Sequence, residues 1–397
     1  MQADHLLQQA RAIAPRITAL RRAIHAEPEL GLETPLTMAK VRAELADLPL
    51  RWVEGPSTTG AVAILSGGRP GPAVLLRGDM DALPMAEDTG LPFASTIAGR
   101  MHACGHDTHT AMLAGAARVL AAHAAELAGE VRFMFQPGEE GFHGARHMIA
   151  DGLLHPLPDA AFALHIMPNA RHGVLASRAG ALMAAADQLE ITIEGRGGHA
   201  SMPHQTRDPV PVAAELVLAI QTMVTRRFAA SEATVVTIAR MDAGSAHNVI
   251  PDRAVLRGTI RTLSPQRRQD VRAALRQLAQ GIAAAHDCSA QVVITDGFPV
   301  TINDPRAVAL AQQVALELDG GEFEPLDHPI MGAEDFSYVL EQVPGMMAFL
   351  GVAAQGADWS QCCGIHSSRM VVDETALPRG TAFLAGCAMQ FLHQGWG

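Results

Sequence analysis

Three short apolar segments limit the fold more than any other feature of this chain. Residues 73–77, 131–135 and 160–164 have the length and composition of buried strands, and a helix-forming stretch lies between the first two. Polar side chains that can bind or orient a metal ion follow each segment, and these are Asp79 and Asp81, Glu139 and Glu140, and His165. Because open α/β sheets place their sites at the carboxyl ends of strands, the pattern predicts an α/β sheet with a site at that edge.

The pattern changes between residues 187 and 297. Outside this part, helices are predicted at 6–25, 37–45, 305–318 and 378–394, and a further strand at 346–352. Inside it, strands are predicted at 189–194, 234–240, 254–261 and 290–295, and helices at 209–224 and 265–286. The order of strand, helix, two strands, helix and strand is typical of a ferredoxin-like α+β unit.

The expected fold class is therefore α/β with two domains, for which 397 residues suffice. The larger domain, residues 1–186 and 298–397, is expected to have a mixed, mainly parallel sheet flanked by helices. Residues 187–297 are expected to form an inserted, smaller α+β domain of the ferredoxin-like type.

Charge and composition argue against several classes of protein. The formal net charge of −11 argues against a general nucleic-acid-binding surface. We expect no membrane partner, because no run of about 18 apolar residues is present. The first residues lack a cationic start followed by an apolar core, which argues against a secretory signal. The odd number of cysteines, five, suits a reducing compartment, and we expect a cytoplasmic protein.

Residues 100–109 contain a cluster of potential metal ligands, with one cysteine, three histidines and one aspartate. Cys104 and His106 lie on either side of Gly105, and a tight loop at this glycine would bring both side chains to one point. The alternative interpretation is chance clustering, because the chain has 18 histidines.

A helix is predicted directly after this cluster, at residues 111–125, with Asp107 or Thr108 as its N-cap. Cys104 would then lie on a loop that leads into a helix N-terminus. Such a position favours the thiolate, which is the form of cysteine that binds metal.

Two adjacent glutamates, Glu139 and Glu140, lie between glycines just after the strand predicted at 131–135. They can divide two tasks, one as a metal ligand and the other as a general base for water. Asp81, which follows an earlier strand, is interpreted as a carboxylate that holds a ligand histidine in one tautomer. For Asp79, a role in the site and a role as a turn or cap residue both stay open.

Other polar residues receive plainer interpretations. Cys363 and His366 have the spacing of a ligand pair, but a small buried side chain is the favoured interpretation of Cys363, and His366 is the better ligand candidate. His25 is interpreted as a packing or capping residue. Residues 195–201 formally match a dinucleotide-binding G-x-G-x-x-A motif, which we reject because Pro203 follows too soon for a helix to begin there.

Five different motifs follow one another along the chain in a characteristic order. They are Gly-Asp-Met-Asp-Ala-Leu-Pro at 78–84, Met-His-Ala-Cys-Gly-His-Asp at 101–107, Glu-Glu-Gly at 139–141, Gly-His-Ala-Ser at 198–201 and Gly-Ala-Glu-Asp-Phe at 332–336. Together they resemble the bacterial aminoacylase and hippurate hydrolase family of dinuclear-metal amidohydrolases, to which plant auxin-conjugate hydrolases are similar. The resemblance runs from about Arg21 to His366, which is nearly the whole chain.

The resemblance implies roles for individual residues. The implied metal ligands are Cys104, His106, Glu140, His165 and His366. Cys104 is implied to bridge two divalent ions where related peptidases use an aspartate, and Asp79 lies where those peptidases carry a ligand histidine, which puts direct metal binding by Asp79 in doubt. The implied catalytic residues are Glu139, as general base, and Asp81. The implied substrate-binding residues are His199, Asn248 and Arg261.

The resemblance also implies roles for the two domains. The larger one is expected to be catalytic. The inserted one is expected to be a lid that forms a homodimer or higher oligomer, and in several relatives the residue that matches His199 reaches the partner's site.

The expected function is metal-dependent hydrolysis of an N-acyl amino acid to a carboxylic acid and a free amino acid. Thiolate and imidazole ligands suit Zn²⁺, and Glu140 also admits Mn²⁺, Co²⁺ or Ni²⁺. Dipeptidase or carboxypeptidase-like action and deacetylation of N-acetyl-diaminopimelate are alternatives within the same chemistry. A non-catalytic metal-binding protein of the same fold, or a closed structural metal site, would not need Glu139 beside the ligand glutamate.

Overall fold

The computed structural model describes residues 3–396, which divide into two compact units. The first unit comprises Met1–Leu182, Ile302–His328 and Asp335–Gly397. The second comprises Met183–Thr301 and Pro329–Glu334, and it contains the segment 187–297 expected as an insert.

Strands and helices alternate along most of the described chain. The strands are β1 (Leu50–Glu54), β2 (Ala61–Ser66), β3 (Arg69–Asp79), β4 (Ala128–Gln136), β5 (Ala160–Met167), β6 (Leu175–Ser177), β7 (Gly180–Met183), β8 (Ala185–Glu194), β9 (Gly198–His199), β10 (Thr234–Ala243), β11 (Val249–Ile250), β12 (Arg253–Thr262), β13 (Ser289–Thr295), β14 (Thr301–Asn303), β15 (Phe323–Pro325) and β16 (Gly345–Gly351). The α-helices are α1 (Ala3–Ala12), α2 (Ala14–His25), α3 (Pro35–Glu44), α4 (His106–Ala121), α5 (Gly144–Ala150), α6 (Pro209–Arg227), α7 (Pro265–Ala285), α8 (Pro305–Glu317), α9 (Ser337–Leu340) and α10 (Leu377–Gln394).

The described part of the first unit is built on an eight-stranded mixed sheet in the order β1-β2-β4-β3-β5-β16-β6-β15. Its four central strands, β4, β3, β5 and β16, run parallel, so their carboxyl ends meet at one edge. β5 is buried over nearly its whole length because helices cover the sheet, and α4 and α10 pack against each other with almost every side chain buried. Apolar strands followed by polar residues thus give the expected sheet and edge.

The second unit has an antiparallel sheet in the order β10-β12-β8-β13. Alternate residues of β8, including Leu189, Ile191 and Ile193, are buried in a core shared with α6 and α7. The N-caps of these helices are Asp208 and Ser264, whose side chains accept hydrogen bonds from Val210 N and Arg267 N. Its main strands and helices follow the predicted order, and the expected α/β fold class with a smaller α+β unit is confirmed.

Two predicted helices differ from the observed ones. The single helix predicted at 6–25 is two helices, α1 and α2, that meet at Ile13. Pro15 explains the break, because proline has no N–H and its ring clashes with the preceding turn of a continuous helix. The helix predicted from 111 begins at His106 with Gly105 as its N-cap at φ 88°, so the N-cap predicted at Asp107 or Thr108 is wrong.

Some strands were also misplaced or missed. His165 was expected beyond the end of a strand but lies inside β5, which continues to Met167. β1 and β2, which extend the sheet on one side, were not predicted. None of the helices in the described residues is long and apolar enough to cross a membrane.

Candidate metal centre

His106 is presented by the first turn of α4 in an orientation set by its own hydrogen bond. Gly105 adopts a left-handed conformation, which lets the chain turn directly into the helix. The Nδ1–H of His106 donates to the backbone carbonyl of Asp81 at 2.8 Å. The buried Nε2 atom has no hydrogen-bond partner among the described residues, and it lies 3.5 Å from an oxygen of Asp79. This tautomer leaves the Nε2 lone pair for a cation.

The electrostatics of His106 favour positive charge at Nε2. Burial lowers the pKa of His106, but the charge of Asp79, helped by the contact with Cys104 and the hydrogen bond to Asp81, outweighs burial and raises that pKa well above its ordinary value. A site that attracts a proton in this way also attracts a metal cation in its place.

His165 points its Nε2 atom toward the same region. Its Nδ1–H donates to the carbonyl of Ile166 at 2.6 Å, and its Nε2 lies 3.4 Å from Cys104 Sγ. Burial, followed by the nearby His109 ring, lowers the pKa of His165 well below its ordinary value. A neutral imidazole whose Nε2 lone pair faces the Cys104 sulfur is the state that binds a metal.

Cys104 differs from expectation in one respect. Burial raises the pKa of the Cys104 thiol to about 12, and the carboxylates of Glu140 and Asp79 add to this effect. The position before a helix N-terminus therefore does not produce a thiolate by itself, because burial removes the thiol from water. A bound cation removes the proton from a coordinating thiol.

Glu140 and His366 complete a second group around the same sulfur. Glu140 Oε1 lies 3.3 Å from His366 Nε2, and the His366 amide donates to the carbonyl of Ala103 at 2.7 Å. This backbone bond ties the distant loop of His366 to the segment that carries Cys104. His366 has φ 64°, an uncommon left-handed conformation for a residue other than glycine.

The five predicted ligands therefore form two triads that share Cys104. One is Cys104, His106 and His165, and the other is Cys104, Glu140 and His366. Within each triad, the potential ligand atoms all lie within 4.8 Å of one another. A sulfur common to two donor groups, with a His106 Nε2 that has no hydrogen-bond partner among the residues described, fits a pair of divalent cations.

The two catalytic candidates lie beside these triads. Glu139 is buried, and it forms a further group with His106 and Glu140 whose ligand atoms lie within 4.8 Å of one another. The carboxylate of Asp81 accepts hydrogen bonds from the amides of Glu139 at 2.9 Å and Glu140 at 3.0 Å. Asp81 thus fixes the glutamate turn with its carboxylate and orients His106 chiefly with its backbone carbonyl.

Several buried residues around the centre were missed by the sequence analysis. Arg77 donates to Asp79 at 2.6 Å, to Gln136 at 2.9 Å and to Asp335 at 2.9 Å. His109 contacts the other oxygen of Asp79 at 2.6 Å. A signal was present, since an arginine at the end of an apolar strand needs a buried carboxylate as its partner.

The predicted substrate-binding residues all belong to the second unit. His199 on β9 pairs with Val249 on β11, and the carbonyl of the adjacent Asn248 accepts a hydrogen bond from Ala200 N at 3.1 Å. His199 and Asn248 are exposed neighbours. Arg261 lies on β12, where burial lowers its pKa against the opposing effect of Asp187.

Comparison with known proteins places this architecture. Residues 75–390 match the sequence profile described as Peptidase family M20/M25/M40. The chain is 36% identical over 380 residues to the N-acetylcysteine deacetylase of Bacillus subtilis, covering 96% of this chain and 97% of that protein. It is 38% identical over 379 residues to the IAA-amino acid hydrolase ILR1-like 2 of Arabidopsis thaliana, covering 94% and 85%.

A solved structure is similar over nearly the full length. It is described as a dinuclear metal binding peptidase of the M20 family from Bacillus subtilis, and it has a TM-score of 0.85 and 33% sequence identity. The alignment covers 97% of this chain and 99% of that one. The resemblance that the motifs indicated is confirmed, and this chain belongs to peptidase family M20/M25/M40.

Proposed function

We propose that this protein hydrolyses the amide bond of N-acyl amino acids, releasing a carboxylic acid and a free amino acid. The observation that carries the proposal is the pair of triads that share Cys104, with the buried Glu139 beside them. A shared sulfur suits two cations, and a further carboxylate suits general-base chemistry, whereas a closed structural site needs neither.

The five donors Cys104, His106, Glu140, His165 and His366 would hold two divalent ions, Zn²⁺, Mn²⁺, Co²⁺ or Ni²⁺. Such ions supply Lewis acidity that polarises the amide carbonyl and lowers the pKa of water. His106 and His165 would bind through Nε2, because each uses Nδ1–H for a backbone carbonyl.

Glu139 would carry the proton through the reaction. Water adds to the amide carbon as Glu139 takes its proton, and the carbon–nitrogen bond then breaks as Glu139 returns that proton to the leaving nitrogen. Asp81 would keep Glu139 in place by accepting hydrogen bonds from the backbone N–H groups of Glu139 and Glu140. With its backbone held in this way, Glu139 would use its side-chain carboxylate for proton transfer.

Substrate recognition would come from the second unit. Arg261 has a planar guanidinium that can pair with the α-carboxylate of the amino-acid portion through two hydrogen bonds. His199 and Asn248 would bind the carboxylate or polarise the carbonyl, as the family resemblance implies. On the same basis we propose that this unit forms the lid and the contact of a homodimer or higher oligomer.

We also propose a cytoplasmic location. All five cysteines lie within the described residues, and none of them is in a disulfide. Free thiols at that frequency suit a reducing compartment.

The decisive experiment is turnover of a substrate panel by purified protein, with and without chelator and added metals. The panel contains hippurate, N-acetyl amino acids, dipeptides and N-acetyl-diaminopimelate. We expect N-acyl amino acids to have the highest kcat/KM. Preference for dipeptides would support the peptidase alternative, and preference for N-acetyl-diaminopimelate would support the biosynthetic deacetylase.

The role of Glu139 is tested with Glu139→Gln, which keeps the size of the side chain but cannot accept a proton. We expect kcat to fall by about 10²–10⁴-fold with both metals still bound. The matched control is Glu126→Gln, an exposed glutamate that belongs to neither triad, which should leave kcat unchanged. Near-normal turnover by a fully loaded Glu139→Gln protein would remove Glu139 from the mechanism.

A further inference from the structure

We infer that His109 is a positioning residue for the metal centre, because it joins the Asp79 carboxylate to the backbone next to His165 and so fixes the orientation of that ligand. The inference rests on the two-metal centre proposed above, and it adds a residue that is not among the five ligands. His109 lies on α4, one turn after His106, and its side chain is 1% exposed.

The hydrogen bonds of His109 define its tautomer. The amide of Ile166 donates to His109 Nε2 at 2.9 Å. A backbone N–H can only donate, so Nε2 is the acceptor and the ring proton is on Nδ1. Nδ1 lies 2.6 Å from Asp79 Oδ1 and donates to it. Both nitrogens are therefore engaged.

This result separates His109 from the metal ligands. Asp79, His106 and His109 have potential ligand atoms within 4.8 Å of one another, a spacing that on its own suggests a third metal position. A cation would have to displace the Ile166 amide from His109 Nε2 and leave a buried N–H without a partner. His106 has no such obstacle, because its Nε2 atom has no hydrogen-bond partner in the described part of the chain.

The other end of the connection is held by charge. Arg77 donates to Asp79 Oδ2 at 2.6 Å, and the Thr110 hydroxyl donates to the Asp79 carbonyl at 2.5 Å. Asp79 and Arg77 are both buried. The carboxylate that orients His109 is thus itself fixed in position, as a short charge-assisted network in a low-dielectric interior requires.

His165 receives the effect through Ile166. The same residue that donates its N–H to His109 accepts the Nδ1–H of His165 at its carbonyl, at 2.6 Å. The rings of His109 and His165 also pack with centroids 4.5 Å apart at 60°. Without His109, the backbone of Ile166 would lose its anchor and the His165 ring would lose its packing partner. His165 Nε2 would then no longer be held 3.4 Å from Cys104 Sγ.

Three variants of His109 separate its two hydrogen bonds. His109→Gln places an oxygen near the position of Nε2 and can still accept from Ile166 N. His109→Asn places a donor near the position of Nδ1 and can still bond Asp79. His109→Ala removes both. Each protein is stripped with a chelator, titrated with Co²⁺, and followed by the thiolate-to-cobalt absorption of Cys104 and by chelator competition.

We expect the wild-type protein to bind two equivalents of Co²⁺. His109→Ala should bind one equivalent about 10–100-fold more weakly, with altered cobalt absorption, as is typical when the partner of a ligand histidine is lost. His109→Gln should keep more affinity than His109→Asn, because His165 is reached through Ile166. The control is His123→Gln, another buried histidine, which bonds Gln9 and should leave both equivalents unchanged.

Three results would overturn the inference. Binding of three equivalents by the wild type and two by His109→Ala would make His109 a ligand. Unchanged cobalt affinity and absorption in His109→Ala, with only a lower melting temperature, would leave it a packing residue. Better retention in His109→Asn than in His109→Gln would exclude the route through Ile166. All three are read without substrate, so they are independent of turnover on the panel.

Discussion

The two units of this protein use polar side chains in opposite ways. In the first unit, His106, His109 and His165 are buried, and each has a ring nitrogen engaged by a fixed partner. In the second unit, His199 and Asn248 are exposed, and the core between the sheet and its helices contains apolar side chains such as Leu189, Ile191 and Ile193. A buried polar group keeps one orientation when all its partners are present, whereas an exposed one can still adapt to a ligand. The first unit is thus organised for fixed geometry and the second for contact.

The largest expected effect tests the sulfur of Cys104, which both triads of the first unit share. Cys104→Ser should reduce metal binding in both triads, because the sulfur belongs to each. Loss of several kcal/mol of metal stabilisation corresponds to roughly a thousandfold or greater fall in kcat/KM. Metal analysis and turnover measure it, and Cys387→Ala, a buried cysteine of α10, is the control. Full metal content in Cys104→Ser would contradict the shared role.

The next effect tests whether the buried charges of the first unit are needed for folding. Arg77→Met would leave Asp79 and Asp335 without their buried cation, and removal of one partner of a buried pair costs about 3–5 kcal/mol. Urea unfolding measures this loss. Arg69→Met, an exposed residue of the same strand, should change the free energy of unfolding by less than about 0.5 kcal/mol. Equal effects of the two variants would show that the buried charges of the first unit are not needed for folding.

A smaller effect tests the second unit as a contact surface. Arg261→Met should raise KM for N-acyl amino acids by about 10–100-fold, the equivalent of about 1.4–2.8 kcal/mol, because it removes a charge pair with the substrate carboxylate. Metal content should be unchanged. Steady-state kinetics measure the effect, with Arg253→Met, exposed on the same strand, as the control. A fall in metal content with unchanged KM would show that Arg261 does not bind the substrate carboxylate.

The smallest effect concerns Asp187, a buried carboxylate of the second unit. Burial raises the pKa of Asp187, but hydrogen bonds from Arg268 and Arg272 outweigh it and lower that pKa overall. A lowered folded-state pKa gives stability that is present above about pH 4 and is lost as the pH falls through the lower folded value.

Asp187→Asn should therefore cost about 1 kcal/mol at pH 7, and the difference from wild type should shrink at about pH 3. Urea unfolding at the two pH values measures this, with Asp270→Asn, which is exposed on α7, as the control. A difference that grows in acid would reverse the assigned sign.

Much of the fold was predictable because its signals are local. Apolar segments gave the central strands, and turn residues at their ends marked the edge of the sheet. The spacing of Cys104 and His106 and the position of Glu139 and Glu140 directly after a strand marked candidate ligands, and the family resemblance implied the full set of five. The start of α4 was not predictable in the same way, since the left-handed conformation of Gly105 replaced the expected side-chain cap.

The supporting residues were not predictable, because their roles depend on contacts between distant segments. His109 is one helical turn from His106, and the sequence gives both the appearance of a ligand. The difference is that the Ile166 amide donates to His109, whereas His106 donates to the Asp81 carbonyl. Likewise, Asp81 orients His106 chiefly with a backbone atom, which no residue type can indicate.

The unequal burial of the proposed ligands has a consequence for the binding and release of ions. The side chain of His366 is 51% exposed, whereas that of His106 is 1% exposed. In the proposed centre, an ion held by Glu140 and His366 lies nearer to solvent than one held by His106 and His165. A competing chelator would then extract the two ions in sequence, the outer one first, and apoprotein would refill from the inner position outward.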